Sequence, residues 1–108
     1  MITKTKNFTK VYFFKKLLKK KFIIKKFKPD VIHAGWVQLD GLVAALAGFK
    51  PVLQMPWGSD ILIAPFLSEQ SLEQTKFVLS GASHITCDCE EVKKTILELV
   101  NYDAEKIE

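Results

Sequence analysis

The sequence predicts an α/β fold in which three parallel strands with flanking helices follow a basic amphipathic helix. Three observations lead there. Short apolar runs alternate with stretches of helical period, each junction carries turn or cap residues, and the 108 residues are 48% hydrophobic and 11% aromatic. That composition excludes a disordered chain, and the length suits one domain with a contiguous core. Strands separated by helices need crossover connections, which give a right-handed parallel sheet expected to be covered on both faces.

The elements follow in order. Residues 10–28 hold no Gly or Pro and mix Lys pairs with Phe, Leu and Ile. On a helical wheel Phe14, Leu18 and Phe22 share one side, Phe13, Leu17 and Ile24 a neighbouring one, and Lys15, Lys19 and Lys26 the opposite one. Lys21, Lys25 and Lys28 interrupt the apolar arc, and Pro29 ends the helix by disfavouring helical geometry at Lys28. Val31-Ile32-His33-Ala34 reads as a buried strand stopped at Gly35. Leu39 to Ala47 reads as a short buried helix, with Asp40 as its N-cap and Gly48 in the left-handed position that closes it. Pro51 to Met55 is the second strand, its proline at the first position where a ladder donor is least missed.

An apolar connection, Ile61 to Leu67, leads to a helix that Ser68 caps, with Leu67 and Leu72 spaced as a hydrophobic staple and Gly81 at its end. His84-Ile85-Thr86-Cys87 is the third strand. Asp88 and Glu91 then form an acidic cap pattern ahead of a helix whose apolar face is Val92, Ile96 and Leu99 and whose stop is Asn101.

Charge divides the chain at Pro29. Residues 1–28 carry 11 Lys and no acid, whereas residues 29–108 carry 5 Lys and 12 acids, so a basic arm of +11 precedes an acidic body of −7. Such asymmetry points to an electrostatic partner. Nucleic acid is not the expected one, because the body is acidic and Arg, the usual base-reading side chain, is absent from the sequence. An anionic membrane surface met through Lys15, Lys16, Lys19, Lys20 and Lys26 fits the Phe, Ile and Leu interleaved among them. The competing reading is a crossover helix that buries one side and shows Lys on the other.

No secretory signal and no apolar run near 20 residues stands in the sequence, so a cytoplasmic protein, peripheral at the inner face of the membrane, is expected. Cys87 and Cys89 form a C-x-C pair that makes no disulfide framework, and with His84 alone nearby no metal site is expected.

In an open α/β sheet ligands bind beyond the carboxyl ends of the strands. The groups there are His33-Ala-Gly-Trp36, Pro56-Trp-Gly-Ser-Asp60 and Cys87-Asp-Cys-Glu-Glu91. Gly35 and Gly58 allow close backbone approach, Trp57 offers a flat apolar platform, and Ser59 with the amides near Gly58 suits hydroxyls or phosphate. The plainer alternative is that glycines turn the chain, tryptophans pack and His33 is a packed strand residue.

Four segments in sequence carry a resemblance: Lys28 to Ala34 (KPDVIHA), Gly41 to Ala47 (GLVAALA), Lys50 to Ile61 (KPVLQMPWGSDI) and Gly81 to Cys87 (GASHITC). Together, over residues 28–108, they resemble the second half of the N-terminal domain of family-4-like, GT-B-fold glycosyltransferases. The resemblance implies a partial Rossmann-like domain at 29–108 behind the arm at 1–28. It further implies the acceptor side of a cleft in which a sugar passes from a nucleotide sugar to a sugar or lipid-linked acceptor, with no other cofactor.

The donor would be held mainly by a second Rossmann-like domain, outside this chain or on a separate one, so the chain is expected to be inactive alone. Gly58, Ser59 and Asp60 match the family pattern. Trp57 stands where many members have a His that contacts the donor sugar, and Gly35 where a second His is frequent, so no catalytic residue is assigned. His33, Gly35, Trp57, Gly58, Ser59 and Asp60 are the expected substrate-binding residues. The alternative class is a non-catalytic α/β module that binds a membrane surface or a protein partner.

Overall fold

The computed structural model describes residues 18–108. Helix α1 covers 18–27 and ends as Pro29 requires, with Lys28 in left-handed geometry (φ 50°) and its amide still bonded to the Ile24 carbonyl at 2.9 Å. Lys15, Lys16, Phe13, Phe14 and Leu17 of the expected amphipathic pattern lie outside the described residues.

Three strands follow, β1 (Ile32–Ala34), β2 (Val52–Gln54) and β3 (His84–Ile85), all parallel and in the order β1-β2-β3. In register, Ile32 pairs Val52, His33 pairs Leu53 and Ala34 pairs Gln54, while on the other side of β2 Leu53 pairs His84 and Gln54 pairs Ile85. The crossovers are α2 (Leu42–Ala47) between the first two strands and α4 (Glu69–Gly81) between the second and third. Helix α5 (Glu90–Leu99) leads to a C-terminal segment whose Ile107 bridges Ile85 in parallel, a fourth strand position the sequence reading did not contain.

One face of the sheet builds the core. Val37, Leu42, Ile61, Val78, Leu79, Ile85, Val92, Ile96 and Ile107 form a buried cluster, and Ala34, Ala44 and Val52 form a smaller one beside it. Helices α2, α4 and α5 therefore pack on the same face, as right-handed crossovers in a 1-2-3 strand order demand. Among the described residues the opposite face, with exposed His33 and half-buried Leu53 and His84, has far less cover. Expected cover on both faces is thus realised on one.

Local rules hold at several ends. Gly48 closes α2 with φ 74°, and the Ser68 hydroxyl accepts from the Ser71 amide at 3.0 Å to start α4. Other ends shift. Leu67 stays exposed, so it staples nothing, and Gly81 is the last residue of α4 rather than a residue past its end. Asp40 caps no helix, because a π-helical turn (Val37–Gly41) runs straight from the end of β1 into α2. Cys89, not Asp88, takes the cap position of α5, leaving Glu90 and Glu91 in the first turn where the helix dipole favours them.

Candidate functional site

The segment after β2 turns sharply at Gly58, whose φ of 132° belongs to glycine and which opens a four-residue helix α3 (Ser59–Leu62). Asp60, in its first turn, is 0% exposed. Its Oδ1 accepts from the amides of Trp57 and Gly58, each at 2.9 Å, and its Oδ2 from the amide of Val37 at 3.1 Å. A buried carboxylate is tolerable only when its lone pairs are filled, and here three amide donors fill them. The clamp joins the loop after β2 to the turn after β1 across 23 positions of sequence.

A second polar seam backs the first. Gln38 Nε2 donates to the Asp60 carbonyl at 2.7 Å and to Thr75 Oγ1 at 2.8 Å, while Thr75 in turn donates to the Ser71 carbonyl at 2.7 Å. Ser71 Oγ donates to the Ala64 carbonyl at 2.6 Å, in a one-turn 3₁₀ segment (Ala64–Phe66). Beneath the edge, fully buried Gln54 donates to the carbonyls of Ala34 and Gly35, which fixes the end of β1 against β2. Gln38, Gln54 and Thr75 were not singled out from the sequence. A Gln inside the apolar run Val52-Leu53-Gln54-Met55 is the signal that could have found one of them, since a buried amide demands named partners.

The expected binding residues divide into those that face solvent and those that hold them. Trp57 is 66% exposed and Ser59 is exposed, both on the carboxyl edge. The Trp57 indole lies over Gly35, where a side-chain carbon would come within 3.2 Å of Nε1 and 3.8 Å of Asp40 Oδ2. Gly35, Asp40 and Trp57 are therefore neighbours, and a side chain at Gly35 would press on the indole. His33 is exposed at the sheet margin rather than packed. Asp60 sits behind the edge, its oxygens turned to backbone amides.

The third expected group separates from the other two. The Cys87 amide donates to the Glu108 carbonyl at 2.7 Å and the Glu108 amide to the Ile85 carbonyl at 2.9 Å, so the end of β3 is tied to the C-terminal segment. Burial, and then the neighbouring Cys89, push the pKa of the half-buried Cys87 thiol up.

Next to the edge lies an open cleft of about 380 Å³ between α1 on one side and β1 with α2 on the other. Helix α1 shows Lys19, Lys20 and Lys26 to solvent together with Leu18 (50% exposed), Phe22 (66%) and Phe27 (72%), and Lys26 Nζ stands 5.9 Å from the Phe27 ring centre. Among the described residues no helix is long and apolar enough to cross a membrane.

Comparison with curated proteins and with solved structures gives no match. A family model described as glycosyl transferase 4-like matches residues 1–89, from the Lys-rich arm through all three strands to the turn before α5. The match covers well over half of the residues and agrees with an α/β unit built on a parallel three-stranded sheet, and the chain belongs to the glycosyl transferase 4-like family.

Proposed function

We propose that residues 29–108 form the acceptor side of a glycosyl-transfer site, in a partial Rossmann-like domain. The sugar acceptor lies against Trp57, with Ser59 Oγ and the region of Gly35 and His33 around it. The nucleotide-sugar donor is held by a second Rossmann-like unit, on a separate chain or in a further domain. In the reaction an acceptor hydroxyl oxygen bonds to the anomeric carbon as the bond to the nucleoside diphosphate breaks. The observation that carries this reading is the Asp60 clamp. Three amide bonds to one buried carboxylate preform the edge and leave an aromatic platform and a hydroxyl facing outward, the combination that sugar rings use.

Trp57 supplies its own test. Tail-free acceptor saccharides, titrated one by one, should quench or shift Trp57 fluorescence in the wild-type chain but not in Trp57→Phe. Nucleotide sugars alone should leave it unchanged. A response to nucleotide sugars and none to any saccharide would overturn the acceptor-side assignment.

A second reading concerns α1. Its exposed Leu18, Phe22 and Phe27 among Lys19, Lys20 and Lys26 form the surface that an interfacial helix lays on anionic lipid. We infer that the arm, with Lys15 and Lys16, holds the protein at the cytoplasmic face of a membrane. Vesicles containing phosphatidylserine should sediment the chain at low salt and release it at high salt, each Lys contributing about 1 kcal/mol. Equal binding to neutral phosphatidylcholine vesicles would remove the electrostatic role.

A further inference from the structure

The joint between β3 and α5 carries chemistry that sugar transfer leaves unused. Cys87 and Cys89 both line an open cavity of about 270 Å³ there, with Asp88, Glu90, Lys93 and Glu108 around them. A continued strand would turn the two side chains to opposite faces, but the chain bends at Asp88 and Cys89, and the thiols share one space. Their closeness also shows in the Cys87 thiol, whose upward pKa shift has Cys89 as its second cause after burial. The α carbons of residues two apart lie at most about 7 Å from each other, a bend shortens that, and a disulfide spans roughly 4.4–6.8 Å. A bond between Cys87 and Cys89 is therefore within reach of a small local adjustment.

The two thiols are unequal. Cys89 is exposed and Cys87 half-buried, so a reagent from solvent meets Cys89 first and Cys87 stands behind it. The surroundings select by charge. Three carboxylates, Asp88, Glu90 and Glu108, against one ammonium, Lys93, leave a formal −2 at the cavity, and His84 Nε2 stands 3.7 Å from Glu108 Oε2 at its margin. A concave surface of one sign concentrates small ions of the other.

We propose that Cys87 and Cys89 form a redox-active dithiol whose substrate is a small, positively charged disulfide. The Cys89 thiolate attacks one sulfur of that disulfide, a mixed disulfide forms, and the other half leaves as a thiolate that takes up a proton. The Cys87 thiolate then attacks the Cys89 sulfur, closes the internal disulfide and expels the second half. The small disulfide is reduced to two thiols, and the protein is oxidised by the loss of two hydrogens. A dithiol reductant runs the sequence backwards. This proposal and the acceptor-side reading rest on different residues, and neither depends on the other.

The test uses the full chain with cystamine, a disulfide bearing two ammonium groups, and with glutathione disulfide, which is net anionic. Acid-quenched samples are followed by mass spectrometry. Wild type should pass through a mixed disulfide to a product two hydrogens lighter, releasing two thiols per chain, and dithiothreitol should restore the starting mass. Cys87→Ser should stop at the mixed disulfide, and Cys89→Ser should take up cystamine at least about tenfold more slowly. Cystamine should react about tenfold or more faster than glutathione disulfide at low salt, and added salt should narrow the ratio. The double variant Asp88→Asn, Glu90→Gln should narrow it as well.

The wild-type product masses decide the central claim without any variant. A cystamine half retained on each cysteine, or a disulfide-linked dimer in place of the internal bond, would overturn it. Uptake by Cys89→Ser as fast as by wild type would reject Cys89 as the entry thiol. A ratio near one, or one that neither salt nor the double variant moves, would overturn the charge selection.

Discussion

Replacing Asp60 tests the frame of the site directly. In Asp60→Asn one oxygen remains and can keep the Trp57 and Gly58 amides, but the new amide group then meets the Val37 amide, donor against donor. Val37 is 0% exposed, so water cannot replace the lost acceptor, and an orphaned buried amide costs about 1–3 kcal/mol. Two further bonds lose their charge assistance, about 1 kcal/mol each, and relief of the buried charge offsets part of the sum. A net loss of about 2–3 kcal/mol is expected. Asp60→Ala removes all three acceptors and should cost about 4 kcal/mol, a large share of the roughly 5–15 kcal/mol of a typical domain. Urea unfolding followed by circular dichroism measures both, with unchanged slopes as the sign of intact two-state behaviour. A loss below about 0.5 kcal/mol in Asp60→Asn, or an Ala variant no worse than the Asn one, would refute the clamp.

Other outcomes follow from the same contacts. Gly41→Ala should lose about 1–3 kcal/mol in the same urea assay, because its side chain would come within 2.9 Å of Val78 Cγ1 and closer still to Gln54 Oε1. The Tyr102 hydroxyl donates to the Ala82 carbonyl at 2.8 Å, and burial, then Asp103, push its pKa up. The folded state therefore favours the neutral phenol: its contribution is intact below the unfolded tyrosine pKa near 10 and falls as pH rises through the higher folded value. Tyr102→Phe should be less stable by about 1 kcal/mol at neutral pH and should lose less between pH 10 and 12, as thermal melts across that range would show. In timed alkylation with iodoacetamide at pH 8, exposed Cys89 should react before Cys87, whose raised pKa leaves it less thiolate. Equal rates would contradict that environment.

What the sequence revealed of this fold lay where a single residue settles its own backbone. Pro29 ends α1, Gly48 turns left-handed after α2, Ser68 caps α4, and three apolar runs become three strands in the expected order. The misses share a cause in distance. Asp60 was legible as a residue of the strand-end loop but not as a clamp, because one of its three donors comes from 23 residues away. Asp40 read as a cap since Asp before an apolar run usually is one, whereas the π-turn carried the helix past it. Ile107 was invisible as a strand because a lone bridge has no period. For Trp57 and Ser59 the strand-end rule gave the position, and the exposure came only from folding.

The apolar connection after α3 shows a division of labour between atoms. Its main chain is held from α4 by Ser71 on the Ala64 carbonyl, while the side chains of Ile63, Phe66 and Leu67 remain largely outside. Geometry and chemical character are thereby separable. The rim can be rewritten from greasy to polar, residue by residue, without disturbing the frame a few ångströms beneath it. Anyone wishing to change which molecules this edge greets has three positions at which to begin.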